Sequence, residues 1–198
     1  MGRRWHKTTG SVTAGICGHG PIINGRPKYI GALQGGNIWL IGQSYPESTS
    51  VCEMVRGILR PIATHISEAN RKIELPSGGA FTVRSGVNPR SLVGNIRGLD
   101  GVIMNEASKF NPLVWQQAIR PALSDRKGWS IWPTTPEGMN YFHTLFLNAR
   151  GEHNPDGDPD WYAWQEPSTA NPLFDPAEIE ASRREGMTEL MIQQEYYA

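Results

Sequence analysis

The chain holds 198 residues in 22.0 kDa, enough for one globular domain of ordinary size and a small appendage. At 38% hydrophobic and 19% charged, with a mean hydropathy of -0.44, it can bury a core, which excludes global disorder. Lys plus Arg and Asp plus Glu number 19 each, so the net charge is +0; this excludes a uniformly basic nucleic-acid coat but not a local basic patch.

From the amino terminus, the first feature is a basic segment, Gly2-Arg3-Arg4-Trp5-His6-Lys7-Thr8. A glycine-rich stretch from Gly15 to Gly36 follows, with Arg26 and Lys28 available for phosphates but no assignable role. Residues 37–42 (NIWLIG) read as a buried strand that ends before Tyr45-Pro46. Residues 47–59 read as a helix with Val51, Met54, Val55, Ile58 and Leu59 on its apolar stripe, stopping before Pro61. Strands are predicted at 80–84, 101–104 and 129–132, and helices at 112–119, ending at Pro121, and at 137–149, carrying Phe142, Leu145 and Phe146. The polar stretch 151–160 is the best internal boundary, and 161–164 reads as an edge strand. Residues 175–194 then form two helices, with Asp175 as the cap, Pro176 in the first turn and a break near Gly186. Strands alternating with helices predict an α/β fold with a mainly parallel sheet between helices. No apolar run approaches the roughly 20 residues of a membrane span. The first ten residues lack the apolar stretch of a secretory signal, and Cys17 and Cys52 form no metal-type pair, which fits a reduced intracellular protein.

Ligands of parallel α/β sheets sit at the carboxyl ends of the strands, so the junctions there carry the chemistry. Glu106, just after strand 101–104, is placed to orient or deprotonate a water, or else is a glutamate favoured by a helix amino terminus. Thr134 and Thr135, just after strand 129–132, offer hydroxyls to a phosphate or cap a helix that starts at Pro136. Lys7-Thr8 supplies the last two residues of a phosphate-cradling loop, but His6 stands where the second glycine is expected and Met1 where the first is. On those residues alone a basic tail is the better reading. Asp156, Asp158 and Asp160 lack the further glutamate of a calcium loop and read as solvated.

Taken in order, these junctions resemble the ATPase domain of the large terminase subunit of tailed bacteriophages, the motor that packages DNA into capsids. GRRWHKTT is similar to the family's Walker A loop, usually GRR-x-GKT, and NIWLIGQSYPES to its W-x-x-P-T-Y-P segment. LPSGGAFTVRSGVNPRSLVGNIRGLDGVIMNEAS resembles the stretch from a hairpin through an "RG" turn into Walker B, usually DEA. SIWPTTPEGMN resembles the coupling motif, usually GTP-x-G-x-N, and the final NP…QEY resembles the link that precedes the family's nuclease domain. Any one motif is weak, but five in the right order are specific.

The resemblance implies a three-layer α/β/α P-loop NTPase, with an ATPase core at 1–150 and a linker or lid-like helical segment at 151–198. It implies ATP and Mg²⁺ as ligands, with Gly2, Arg3, His6, Lys7 and Thr8 around the nucleotide. Lys7 and Thr8 would contact the phosphates, Thr8 and Asn105 the Mg²⁺, and Arg4 or Arg3 the charge on the γ-phosphate. Glu106 would be catalytic, Thr135 with Thr134 would couple hydrolysis to movement, and Arg97 would be a trans-acting arginine finger. Phosphoryl transfer needs such positioned charge rather than covalent chemistry. Implied partners are double-stranded DNA, the portal protein, the small terminase subunit and further copies in a ring, with no membrane. The implied location is the host cytoplasm, at the procapsid portal vertex. Asn105 in place of aspartate and His6 in place of glycine depart from the pattern. The strand expected before Walker A is missing, so a truncated or split gene product is expected. The alternatives are a degenerate terminase fragment that only binds DNA or a partner, and a related helicase-type ATPase.

Overall fold

The computed structural model describes residues 6–93 and 98–197, which fall into two compact units: one of residues 8–133, and one of residues 134–197 with His6 and Lys7. Among the described residues the first element is α1 (Lys7–Cys17), which buries Val12 and Ile16. The hairpin β1 (His19–Ile23) and β2 (Arg26–Tyr29) follows, turning at Asn24-Gly25. Both turn residues have positive φ, 52° and 77°, the conformation that makes Asn-Gly a hairpin turn.

The large unit is built on a six-stranded sheet. Its central strand is β3 (Asn37–Gly42), followed by α2 (Tyr45–Leu59) and the short antiparallel strands β4 (His65–Ser67) and β5 (Lys72–Glu74). Then come β6 (Ala80–Ser85), a short helix α3 (Pro89–Leu92) and β7 (Gly101–Met104). A π-helical turn (Val114–Ile119) runs directly into α4 (Arg120–Ser124), and β8 (Trp129–Ile131) closes the sheet. The strand order is β4-β5-β6-β3-β7-β8, in which β6, β3, β7 and β8 are mutually parallel and β4 and β5 antiparallel. The expected α/β class with a mainly parallel sheet is therefore what is found.

Alternation along the strands gives the sheet two buried faces. Ile38, Leu40, Phe81, Val83 and Ile103 meet Val12 and Ile16 of α1 and Val51, Val55 and Leu59 of α2 in one apolar core. Gly15 lets α1 lie close to the sheet, since a Cβ there would stand 2.8 Å from a Phe81 ring carbon. The alternate residues Trp39, Ile41, Val102 and Met104 are also buried, as are Leu92, Val114, Ile119 and Leu123 from the helical stretches that follow β6 and β7.

Several boundaries differ from the sequence reading. Helix α2 begins at Tyr45 rather than 47, because Ser44 caps it and Pro46 sits in the first turn, where its missing N–H costs nothing. Its buried face holds Ser48, Val51, Cys52, Val55 and Leu59, whereas the expected core residues Met54 and Ile58 are 36% and 48% exposed. A close contact sets this rotation: the Ser48 hydroxyl donates to the carbonyls of Ser44 and Arg84, and a Cβ on Gly42 would stand 2.5 Å from it. The helix expected to end at Pro121 runs on to Ser124. A π turn, with the Arg120 N–H donating to the Trp115 carbonyl, precedes the proline and absorbs its missing donor.

The small unit contains α5 (Tyr141–Asn148), capped by the Asn140 side chain, which starts four residues later than expected. Strand β9 (Ala149–Gly151) pairs in parallel with β10 (Asp158–Ala163), so the second strand begins inside the polar stretch. Helix α6 (Ala177–Arg184) starts beside Asp175, whose carboxylate accepts from the Ala177 N–H, and Gly186 breaks the chain at φ 93°. Helix α7 (Glu189–Ile192) continues into a π turn (Gln193–Tyr197). Phe174, Ile179, Ile192 and Tyr196 form the core here. No helix among the described residues is long and apolar enough to cross a membrane.

Candidate nucleotide site

The parallel strands β3 and β7 end side by side, and the residues just beyond them are the most organised polar group in the large unit. The Asn105 N–H donates to the Ile41 carbonyl at 3.0 Å, extending the β3–β7 ladder one residue past the strand and burying Asn105 to 4% exposure. Glu106 then breaks the strand with φ 56° and ψ 52°. A left-handed conformation is unusual for a residue with a side chain and stores strain of order 1 kcal/mol. Its carbonyl accepts from the Lys109 N–H, closing a short 3-10 turn at Ala107–Lys109.

The Asn105 side chain bridges two other elements. Its Oδ1 accepts from the Thr8 hydroxyl at 2.9 Å, and its Nδ2 donates to Glu47 Oε1 at 2.5 Å. Glu47 lies in the first turn of α2, immediately beyond β3. Its Oε2 accepts from the Gln43 N–H at 3.0 Å, and its own N–H donates to the Ser44 hydroxyl at 3.3 Å. Thr8, Asn105 and Glu47 thus form one hydrogen-bonded chain drawn from the start of α1 and the tips of two parallel strands. A hydroxyl, an amide carbonyl and a carboxylate are hard oxygen donors, so they fit Mg²⁺. Among the described residues no group of three or more His, Cys, Asp and Glu could hold a metal ion.

In the small unit the Lys7 ammonium donates to Thr135 Oγ1 at 2.7 Å. Thr134 is buried, and its hydroxyl donates to the Thr135 carbonyl at 3.1 Å. Neither threonine caps a helix at Pro136, because the next helix starts at Tyr141 and is capped by Asn140. His6 has φ 51°, the left-handed region in which the expected glycine would be free of strain.

The structure therefore joins Thr8 to Asn105 in one unit and Lys7 to Thr135 in the other. Gly2, Arg3, Arg4 and Arg97 lie outside the described residues. Glu47 belongs to this polar group although its position in the sequence marks it as a helix residue. It was visible as an acid just beyond a strand tip, the argument applied to Glu106, and as the fourth residue of Ser-x-x-Glu, a helix-capping pattern.

A mainly parallel α/β sheet, a helix opening with Lys-Thr and a buried amide at the tip of an adjacent strand define a P-loop-type architecture. The likeness can be traced further in particular proteins. No family model matches the chain. Over 55 residues the chain is 47% identical to the large terminase subunits of Thermus phage G20c and Thermus virus P23-45. That stretch is 27% of this chain and 11% of each relative, so the chain spans about a tenth of their length. The ATPase domain of the Thermus phage P74-26 large terminase superposes with a TM-score of 0.71 at 23% identity, covering 98% of this chain and 84% of that domain. A point mutant of that domain gives 0.70 at 22%, with the same coverage. The large terminase of bacteriophage HK97 gives 0.61 at 14%, covering 97% of this chain and 40% of that protein. The resemblance carried by the motifs is borne out: the sequence relatives are large terminase subunits, and the fold is that of large terminase ATPase domains.

Proposed function

We propose that this chain is the ATPase domain of a bacteriophage terminase large subunit, binding ATP with Mg²⁺ and using hydrolysis to drive double-stranded DNA into a procapsid. The observation that carries the reading is the Thr8–Asn105–Glu47 chain of hydrogen bonds, located where parallel α/β folds bind ligands. Lys7, the residue before Thr8, binds the phosphates. Thr8 and Asn105 hold Mg²⁺, which when bound neutralises phosphate charge. Glu106 orients the attacking water, and Thr135 with Thr134 couples hydrolysis to movement. Arg97 and either Arg4 or Arg3 add positive charge at the γ-phosphate. Duplex DNA, portal protein, small terminase subunit and a ring of copies at the portal vertex in the host cytoplasm complete the assembly.

Release of phosphate from ATP by the full chain, measured with and without duplex DNA, tests this reading. Mg²⁺-dependent hydrolysis supports it, and nucleotide binding without hydrolysis refutes the enzymatic part. The second reading, a non-hydrolysing remnant that binds DNA or a partner, is favoured by the φ of 51° at His6, which strains the backbone where phosphate would approach. Absence of any nucleotide binding by a folded chain decides for it.

A further inference from the structure

We infer that Glu47 supplies the carboxylate charge for a divalent cation held beside Thr8 and Asn105, an assignment that rests on the Mg²⁺–ATP reading above. Asn105 is neutral and brings no charge to a cation. Its amide instead donates to Glu47 at 2.5 Å, so the anion sits one hydrogen bond away on the neighbouring element.

A purely structural helix cap does not account for this arrangement. Capping α2 engages only Glu47 Oε2, which accepts from the Gln43 N–H. The other oxygen, Oε1, is committed to a side chain 58 positions further along, at the tip of a different strand. The Gln43 N–H and the Asn105 amide hold the two carboxylate oxygens, and the Glu47 N–H donates to the Ser44 hydroxyl, so little side-chain freedom remains to be lost when a cation is bound.

The same geometry explains the asparagine. An aspartate at 105 would set two carboxylates in direct contact, and like charges at that range do not both stay ionised. Asparagine at 105 and glutamate at 47 are therefore one device: a single negative charge, moved from the end of β7 to the start of α2. Mg²⁺ is commonly held by one or two carboxylates with retained waters, and one carboxylate meets that need.

The experiment titrates Mn²⁺ into the full chain in the presence of ATP, following free Mn²⁺ by electron paramagnetic resonance. ATP affinity in EDTA and the thermal midpoint are measured on the same samples. Glu47→Gln is expected to weaken Mn²⁺ binding at least tenfold, with ATP affinity in EDTA within about twofold of the native value. Asn105→Asp alone is expected to leave Mn²⁺ binding no tighter and to lower the thermal midpoint. The double exchange, Glu47→Gln with Asn105→Asp, keeps a carboxylate facing an amide and is expected to restore Mn²⁺ binding to within about threefold of native, even where a single variant folds poorly. Unchanged Mn²⁺ affinity in Glu47→Gln, tighter binding in Asn105→Asp alone, or a double variant no better than Glu47→Gln would each overturn the assignment and leave the ATPase reading standing. A native chain that binds no nucleotide would overturn both.

Discussion

The Lys7 ammonium and the Thr135 hydroxyl meet at 2.7 Å although 128 positions separate them in the chain. The pair joins the residue proposed to bind the phosphates to the residue proposed to sense them. On the proposed function, phosphate oxygens would take the place of the Thr135 hydroxyl on the ammonium when nucleotide binds. Thr135→Val removes the acceptor and should cost about 1 kcal/mol of stability without nucleotide. ATP affinity should change little while turnover falls. Thermal melting, calorimetry and a phosphate-release assay check the three parts.

His6 occupies a left-handed conformation that glycine adopts freely. Strain of this kind is worth on the order of 1 kcal/mol. On the proposed function the ring would also stand where glycine lets the backbone approach phosphate. His6→Gly is therefore expected to tighten ATP binding by roughly tenfold, equivalent to about 1.4 kcal/mol. A calorimetric affinity equal to that of the native chain would show that the ring does not obstruct the ligand.

Glu106 combines an acidic side chain with φ 56° at a strand tip, a cost that a purely structural turn would avoid by using glycine. Glu106→Gln keeps the size and the backbone, so ATP binding should persist while hydrolysis falls at least a hundredfold. Full turnover in this variant would remove Glu106 from its proposed role. Glu106→Gly should raise the thermal midpoint and also abolish turnover, separating strain from chemistry.

His19 stacks on Tyr29 at 4.8 Å and forms a T-shaped pair with Trp129 at 4.6 Å, and its buried Nε2 has no hydrogen-bond partner among the described residues. Burial holds its pKa below the ordinary value of 6.5. Below that value the unfolded chain takes up a proton that the folded chain resists, so stability is lost as pH falls through about 6.5 and below. His19→Phe should keep the stacking and flatten this acid limb. Denaturant midpoints between pH 5 and 8 measure it; an unchanged pH profile in the variant would assign the limb to other groups.

How much was legible follows from local physics. Strands 37–42 and 101–104 were read with their observed limits because strands buried on both faces are uninterrupted apolar runs between turn residues. Their tips therefore led directly to Asn105 and Glu106. Strands β1 and β2 carry little apolar patterning and were missed, although Asn24-Gly25 marked their turn. The rotation of α2 depends on contact between Gly42 and Ser48, a tertiary fact that helical periodicity does not contain. In sequence Glu47 reads as a helix residue, because its partner, Asn105, is 58 positions away. The continuation of the helix through Pro121 likewise depends on a π turn that has no local signature.

On the proposed function, a nucleotide triphosphate binds through Lys7, the lysine that opens α1. The direct measurement is calorimetric titration of ATP with Mg²⁺ into the native chain and into Lys7→Ala, with thermal melting to confirm that both are folded. Saturable one-site binding in the native chain and its loss in the variant are expected. Equal binding by both, or none by a folded native chain, would contradict the proposed function.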